Sequence, residues 1–452
     1  MADLPDLTTL DITDAAAGLA AGDFSAGGLL DAYLARIDRY ENGLNCFITL
    51  LIDQARVQAR AADQRRANGH DRLSTLDGIP IALKDNMDLA GVPTTNGMAK
   101  LRTPARDAAA VERLRRGGAV IMGKLNMHEG ALGATTDNPH HGRTHNPWRQ
   151  GYTPGGSSGG SGAAVAARLC AGALGTDTMG SVRLPAAYCG IFGLKPTFGL
   201  ISTRGVVPLS YGLDHVGPLC RSTRDLRLML DVLIEHPIAA PPVALEGLRF
   251  AVPISPDATP CLDGIWENFA GHAANLERHG AVRVPVSSAA LAGADATGTR
   301  LAGLLISEAE AGHALESQLR DHPEDFSDHF AKMLNYGRNA PAHRLVAAQQ
   351  TLAAVKLQIN ELFEQTDLLL LPTTSQAAFP FETAAPPGQA DFTQWANHGG
   401  CPALSLPCGL SSDGMPLGLQ LMARPQADGP LLAMAEAVAP LLPKLPFPTL
   451  LN

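Results

Sequence analysis

Tyr152 to Arg183 reads Y-T-P-G-G-S-S-G-G-S-G-A-A-V-A-A-R-L-C-A-G-A-L-G-T-D-T-M-G-S-V-R, and this stretch restricts the fold more than any other. A Gly/Ser loop from Pro154 to Gly162 precedes an apolar run, Ala163 to Cys170. That run is expected to form a helix with the glycines at its N-terminus. A second turn of small residues, Gly175 to Ser181, follows it. Glycine allows close backbone approaches that a Cβ would forbid. Two such turns, each offering hydroxyls, suit a buried pocket where main chain meets substrate. Upstream, G-I-P-I-A-L-K-D-N (Gly78 to Asn86) is an apolar run that delivers Lys84 at its end.

Around this stretch, helical patterns alternate with short apolar runs. Ser25 is placed to cap a helix carrying Leu29, Leu30, Tyr33, Leu34 and Ile37 on one face, and a second helix is expected from Asp53 to Ala67. Strands are expected at Ile79–Leu83, Ala119–Met122, Ala173–Gly175, Leu248–Val252, Leu368–Leu371 and Ala403–Leu406. Helices are expected at Asp107–Arg116 and Ser222–Ile234, and across most of the chain from Pro253 to Phe363. The alternation predicts an α/β protein: one large domain with a central, mainly buried mixed sheet flanked by helices. Three segments are read within it. They are an N-terminal helical part (1–70), a core bearing the chemistry (71–235), and a helical elaboration with the C-terminal part (236–452). Pro- and Gly-rich passages at 237–242 and 379–388 read as surface loops or lids.

Composition removes several classes of partner. A net charge of −9 argues against nucleic acid, and Arg65-Arg66 and Arg113–Arg116 sit in helical patterns as solvated faces. No run of about 18 apolar residues marks a membrane span. M-A-D-L-P-D-L has no basic, apolar leader pattern, so a cytoplasmic protein is expected. The seven cysteines contain no C-x-x-C pair and read as reduced, buried thiols. Cys189, in P-A-A-Y-C-G, reads as core packing rather than a nucleophile. His140, His141 and His145 lack the spacing of a metal site.

A serine hydroxyl needs a base to take its proton as it attacks. Lysine can be that base only when neutral, which requires burial to lower its pKa from about 10.4. Lys84 follows five apolar residues, although Asp85 would hold it charged if both pointed the same way. Gly155, Ser157 and Gly159 also match the G-x-S-x-G of a nucleophile elbow, and the loop lacks the G-K-[ST] of a phosphate-binding loop. His398 is available as the histidine of an elbow-type triad, with nothing distinctive around it. The turn at Gly175–Ser181 has N–H groups able to converge as an oxyanion hole. Asp177 is placed to brace it through backbone N–H groups or through Arg183.

Taken together, the motifs resemble those of the amidase-signature family of serine hydrolases. Lys84 in its apolar segment, P-G-G-S-S-G-G-S and D-T-M-G-S-V-R carry the likeness. So do K-L-N-M-H-E (Lys124 to Glu129), N-P-W (Asn146 to Trp148), P-A-A-Y-C-G-I-F-G-L-K-P-T (Pro185 to Thr197), L-D-H-V-G-P (Leu213 to Pro218), G-C-P-A-L-S-L-P-C-G (Gly400 to Gly409) and G-M-P-L-G-L-Q-L (Gly414 to Leu421). The likeness runs from about residue 25 to 435.

It implies a Ser-Ser-Lys triad of Ser181 as nucleophile, Ser157 as bridging serine on a cis peptide after Gly156, and Lys84 as base. It further implies an oxyanion hole from the N–H groups of Thr178, Met179, Gly180 and Ser181. Ser158 is expected to hydrogen-bond the lysine, with Asp177 and Arg183 in support. The implied activity is cleavage of a small carboxamide through an acyl-enzyme, with no cofactor or metal; a homodimer is left open. One departure stands out: Met179 occupies a position where the family usually has glycine. The amidase component of a tRNA-dependent amidotransferase is the alternative within the family. Against it, Ala390–Gly400 (A-D-F-T-Q-W-A-N-H-G-G) lacks the tyrosine-rich pattern of that component. Specificity is expected to depend on residues 300–395, Gly130–Thr136 and Tyr152.

Overall fold

The computed structural model describes residues 6–262, 264–287, 290–291 and 295–448. The apolar runs form the strands of one eleven-stranded sheet. In chain order these are β1 (Phe47–Leu50), β2 (Pro80–Lys84), β3 (Val120–Leu125), β4 (Gly172–Asp177), β5 (Phe192–Lys195), β6 (His215–Cys220), β7 (Arg249–Ala251), β8 (Val282–Arg283), β9 (Leu368–Pro372), β10 (Ala403–Leu410) and β11 (Pro416–Met422). Across the sheet they run β1-β3-β2-β4-β6-β5-β10-β11-β9-β7-β8. β2 lies parallel to both β3 and β4, whereas β4–β6, β6–β5, β5–β10 and β10–β11 are antiparallel. Every residue of β2, β3, β4, β6, β9 and β11 is buried, so helices must cover both faces. The protein is an α/β single domain built on a mixed sheet.

Helix Ala26–Leu44 begins where expected, with the Ser25 side chain accepting from Gly28 N–H, and buries Leu29, Leu30, Tyr33 and Ile37. Full burial of such side chains contributes about 1.5–3 kcal/mol each. Helices Ile52–Ala67, Ala109–Arg116 and Thr223–Leu233 also fall close to their predicted spans. Between Pro253 and Phe363 the chain forms helices Ile265–Arg278, Ala296–Ala314, Glu316–Asp321, Asp328–Arg338 and the start of Ala342–Gln365. Residues 263, 288–289 and 292–294 of that span lie outside the described residues. The basic clusters are paired rather than simply solvated: Arg65 with Asp77, Arg113 with Glu235 and Arg115 with Asp107. No helix of the described residues is long and apolar enough to cross a membrane.

One boundary differs from expectation. The helix after the Gly/Ser loop spans Gly159–Ala166, so Gly159, Gly160, Ser161 and Gly162 lie inside it rather than ahead of it. Packing explains the glycines. A Cβ on Gly159 would stand 2.2 Å from Thr136 Oγ1, and one on Gly160 would stand 2.3 Å from the Asn126 carbonyl oxygen. Helix propensity disfavours these residues, but only they let the helix seat this deeply.

Candidate active site

β2 and β4 are adjacent and parallel, so their carboxyl ends open on the same side of the sheet. Crevices at such strand ends commonly hold ligands. Lys84 closes β2, and its Nζ lies 2.6 Å from Ser157 Oγ and 2.8 Å from Thr176 Oγ1. Asn86 Nδ2 donates to the same Thr176 hydroxyl at 2.9 Å. Burial pushes the Lys84 ammonium down to about 7, against the opposing pull of Asp214 and Asp177. Asp85 does not hold it charged. Its carboxylate pairs with Lys124 at 2.8 Å, both side chains fully buried, and accepts from Thr95 N–H and Oγ1.

The Gly156–Ser157 peptide is cis. Ser158 differs from its expected role. Its Oγ donates to the Thr176 carbonyl (3.2 Å) and accepts from Thr176 N–H (3.3 Å), while the Lys84 contacts go to Ser157 and Thr176. The loop is tied to the second turn by Ser158 N–H donating to the Ser181 carbonyl at 3.3 Å. Among the described residues no hydrogen bond joins the hydroxyls of Ser157 and Ser181.

The turn at 177–183 is built from buried charge. Arg183 makes a two-pronged pair with Asp177, at 3.0 Å from Nε to Oδ2 and 2.9 Å from Nη2 to Oδ1. Asp177 Oδ2 also accepts from Val182 N–H, and Oδ1 accepts from Asn397 Nδ2. Burial alone would raise the Asp177 carboxyl, but the Arg183 guanidinium holds it well below the usual carboxylate range. Arg183 then reaches the Thr393 carbonyl, Gln420 Oε1 and Asn397 Oδ1. Thr178 Oγ1 donates to Asp214 Oδ1 at 2.6 Å, and Asp214 Oδ2 accepts from the N–H groups of Leu209 and Ser210. Burial pushes Asp214 up to about 6.

At the tip, Gly180 has φ +142°, and a Cβ there would stand 2.2 Å from Thr393 Oγ1. Glycine is therefore demanded at 180. Met179 is different: its φ is negative, so the side chain is carried without backbone strain. Its carbonyl accepts from Thr393 Oγ1 at 2.6 Å. The N–H groups of Met179, Gly180 and Ser181 donate to no other group among the described residues. From Thr153 to Cys189 every residue is buried except Met179 and Ser181, so these two mark the opening.

Cys189 is a core thiol that donates to the Pro154 carbonyl, and burial pushes its pKa upward. His140, His141 and His145 go separately to Glu129, to the Met98 carbonyl and to Gly151 N–H. Thr136, in one of the segments expected to shape specificity, holds Gly155 and Gly159 through its hydroxyl. The sequence pattern does not single out Thr176, Asn86, Asp214, Thr393, Asn397 or Gln420 for these roles. Asp214 and Asn86 stand inside motifs quoted above, whereas Thr393 and Asn397 reach the turn from more than two hundred positions away and leave no local signal.

This arrangement can be set beside known proteins. The family model described as Amidase matches residues 28–432. A glutamyl-tRNA(Gln) amidotransferase component from Chloroflexus aurantiacus is 37% identical, covering 96% of this chain and 97% of the relative. A 1-carboxybiuret hydrolase component from Pseudomonas sp. (strain ADP) is 36% identical over 90% of this chain and 93% of its own length. Among solved structures, the peptide amidase of Stenotrophomonas maltophilia superposes with a TM-score of 0.84 at 29% identity, covering 97% of this chain and 98% of that one. With its fold, its motifs and these likenesses in agreement, the chain belongs to the amidase family, as an amidase-signature enzyme.

Proposed function

We propose that the chain is an amidohydrolase in which Ser181 attacks a carboxamide carbonyl, Ser157 relays the proton, and neutral Lys84 receives it. The observation that carries this reading is the 2.6 Å contact between Lys84 and Ser157, in surroundings that hold the lysine near pKa 7. At neutral pH a large share of Lys84 has a lone pair to accept the Ser157 proton, while Thr176 fixes the amine in place. As the Ser181 Oγ–carbon bond forms, its proton passes to Ser157, whose own proton passes to Lys84. The new oxyanion lies against the N–H groups of the 178–181 turn, where one donor is worth about 2.7–4 kcal/mol. The relay then runs backwards, protonating the leaving nitrogen as its bond to carbon breaks. Water cleaves the acyl-Ser181 ester by the same route, so each proton has a residue to carry it.

A second reading is favoured by the 37% identity to an amidotransferase component: the same site would then release ammonia for a partner protein. One experiment separates the two. The purified chain, without ATP or any partner, is assayed for ammonia or amine release from a panel of small amides, beside Ser181→Ala. Hydrolysis by the chain alone, lost by at least about 10⁴-fold in the variant, supports the hydrolase. Activity that appears only with added partner chains supports the amidotransferase. Equal turnover in Ser181→Ala removes the nucleophile assignment from both.

A further inference from the structure

Helix Gln394–His398 and the residue before it bring three polar side chains toward the 177–183 turn, and they differ in how they are used. Thr393, just before it, holds the Met179 carbonyl, and Asn397 holds Asp177. His398 holds nothing. It is 5% exposed, and neither Nδ1 nor Nε2 has a hydrogen-bond partner among the described residues. Folding gains nothing from such a group, because a buried donor and acceptor without partners carry their full desolvation cost. A buried orphan of this kind asks for a partner, and a bound ligand group is one that can supply it.

Its position supplies one. Gly303, on helix Ala296–Ala314, has a bare Cα. The point a Cβ would occupy there is 2.7 Å from His398 Nε2 and 2.9 Å from Met179 Sδ. Imidazole and thioether thus close on the same point, and the glycine leaves room for both. Met179 is one of the two residues at the opening, and Ser181 is the other. His398 therefore borders the wall beside the serine. Burial holds its pKa down to about 3, so near neutral pH the ring is uncharged, with one N–H to donate and one lone pair to accept. The nearby guanidinium of Arg183 is already committed to Asp177, Thr393, Gln420 and Asn397. A charged substrate group brought here would lose its hydration without gaining a counter-ion.

We infer that His398, backed by Met179, is a specificity-determining residue whose imidazole hydrogen-bonds a second, uncharged polar group of the substrate, of the carboxamide or ureido class. This rests on the hydrolase reading above and extends it to the kind of amide preferred.

The test compares two pairs of near-isosteric amides, malonamide against propionamide and succinamide against butyramide, in wild type, His398→Leu and His398→Gln. The expected wild-type kcat/KM favours at least one diamide over its partner. In His398→Leu that ratio falls by about 10- to 100-fold, the factor expected when a buried hydrogen bond to substrate is lost. Glutamine, which keeps a donor and an acceptor, restores part of it. The thermal midpoint of His398→Leu should equal or exceed that of wild type, since an apolar side chain replaces an unpaired polar one. A ratio unchanged by His398→Leu overturns the inference, as does a lowered midpoint with both substrates affected alike. Wild type that cleaves the monoamides without preferring either diamide overturns this inference alone. Wild type that cleaves none of the four, while hydrolysing another amide of the panel above, likewise overturns this inference; failure on the whole panel overturns the hydrolase reading beneath it.

Discussion

Lys84 shares a peptide bond with Asp85, and a carboxylate so near would ordinarily keep an ammonium charged. At a strand end successive side chains leave on opposite sides. Asp85 turns to Lys124, and Lys84 turns to Ser157 and Thr176. The pKa of about 7 follows from that division, because burial acts on Lys84 without a carboxylate in contact. The expected pH dependence has a definite sign. As the proposed base, Lys84 must be neutral, so kcat/KM should rise through about pH 7 and fall tenfold per unit below it. Lys84→Ala should lower kcat/KM by about 10²- to 10⁴-fold and remove that ascending limb; a limb that persists would assign it to another group. Met179 makes a different point at this scale. Its negative φ means that glycine is not needed for the backbone, so Met179→Gly should fold and keep activity on the smallest amides within about tenfold. Its effect should appear as a changed ranking of substrates in the same kinetic panel.

At the scale of elements, the helix Gly159–Ala166 is held by what it lacks. Gly160 faces backbone oxygens of Asn126 and Cys46, which cannot move aside as a side chain can. Gly160→Ala should therefore lower stability in urea unfolding by about 1–3 kcal/mol, as overpacking does. Gly43, inside helix Ala26–Leu44 with nothing within 4 Å of a Cβ, should respond with the opposite sign, gaining about 0.5–1 kcal/mol on change to alanine. The Asp177–Arg183 pair, fully buried on both sides, makes the nucleophile turn the most charge-dependent element of the site. Arg183→Met should cost about 3–5 kcal/mol in the same assay by stranding the carboxylate.

These elements also show where the sequence is readable. Lys84 and the strand beneath it are legible because apolar runs report burial directly, and Ser25 announces its helix through local capping chemistry. The glycine-rich start of Gly159–Ala166 reads as a loop because propensity argues against a helix there, and only tertiary contacts with Thr136 and Asn126 overrule that. β5, β6 and β11 stand inside recognisable motifs yet do not read as strands, since glycine and proline interrupt their apolar pattern. Thr393, Asn397 and Gln420 meet Arg183 only after folding, so no spacing could reveal them.

On the scale of the whole molecule, the sheet interleaves distant parts of the chain. β10 and β11 lie between β5 and β9, so the site draws its lysine from β2, its turn from β4 and its brace from residues 393–397 just before β10. From Thr153 to Cys189 only Met179 and Ser181 are part-exposed, and Gly133, Ala134 and Thr135 beside Gly156 are part-exposed as well. The proposed acyl-enzyme imposes an order of traffic. On the proposed mechanism the released amine must leave before the molecule that finishes the reaction can enter, so any small nucleophile that fits competes with water for the acylated serine. Hydroxylamine added during turnover of an amide should therefore divert product from carboxylic acid to hydroxamate in proportion to its concentration, read by the ferric hydroxamate colour. Acid formed at an undiminished share would count against a trappable acyl-enzyme. On that proposal the enzyme is, in kinetic terms, an acyl-transfer catalyst whose choice of water is a matter of supply.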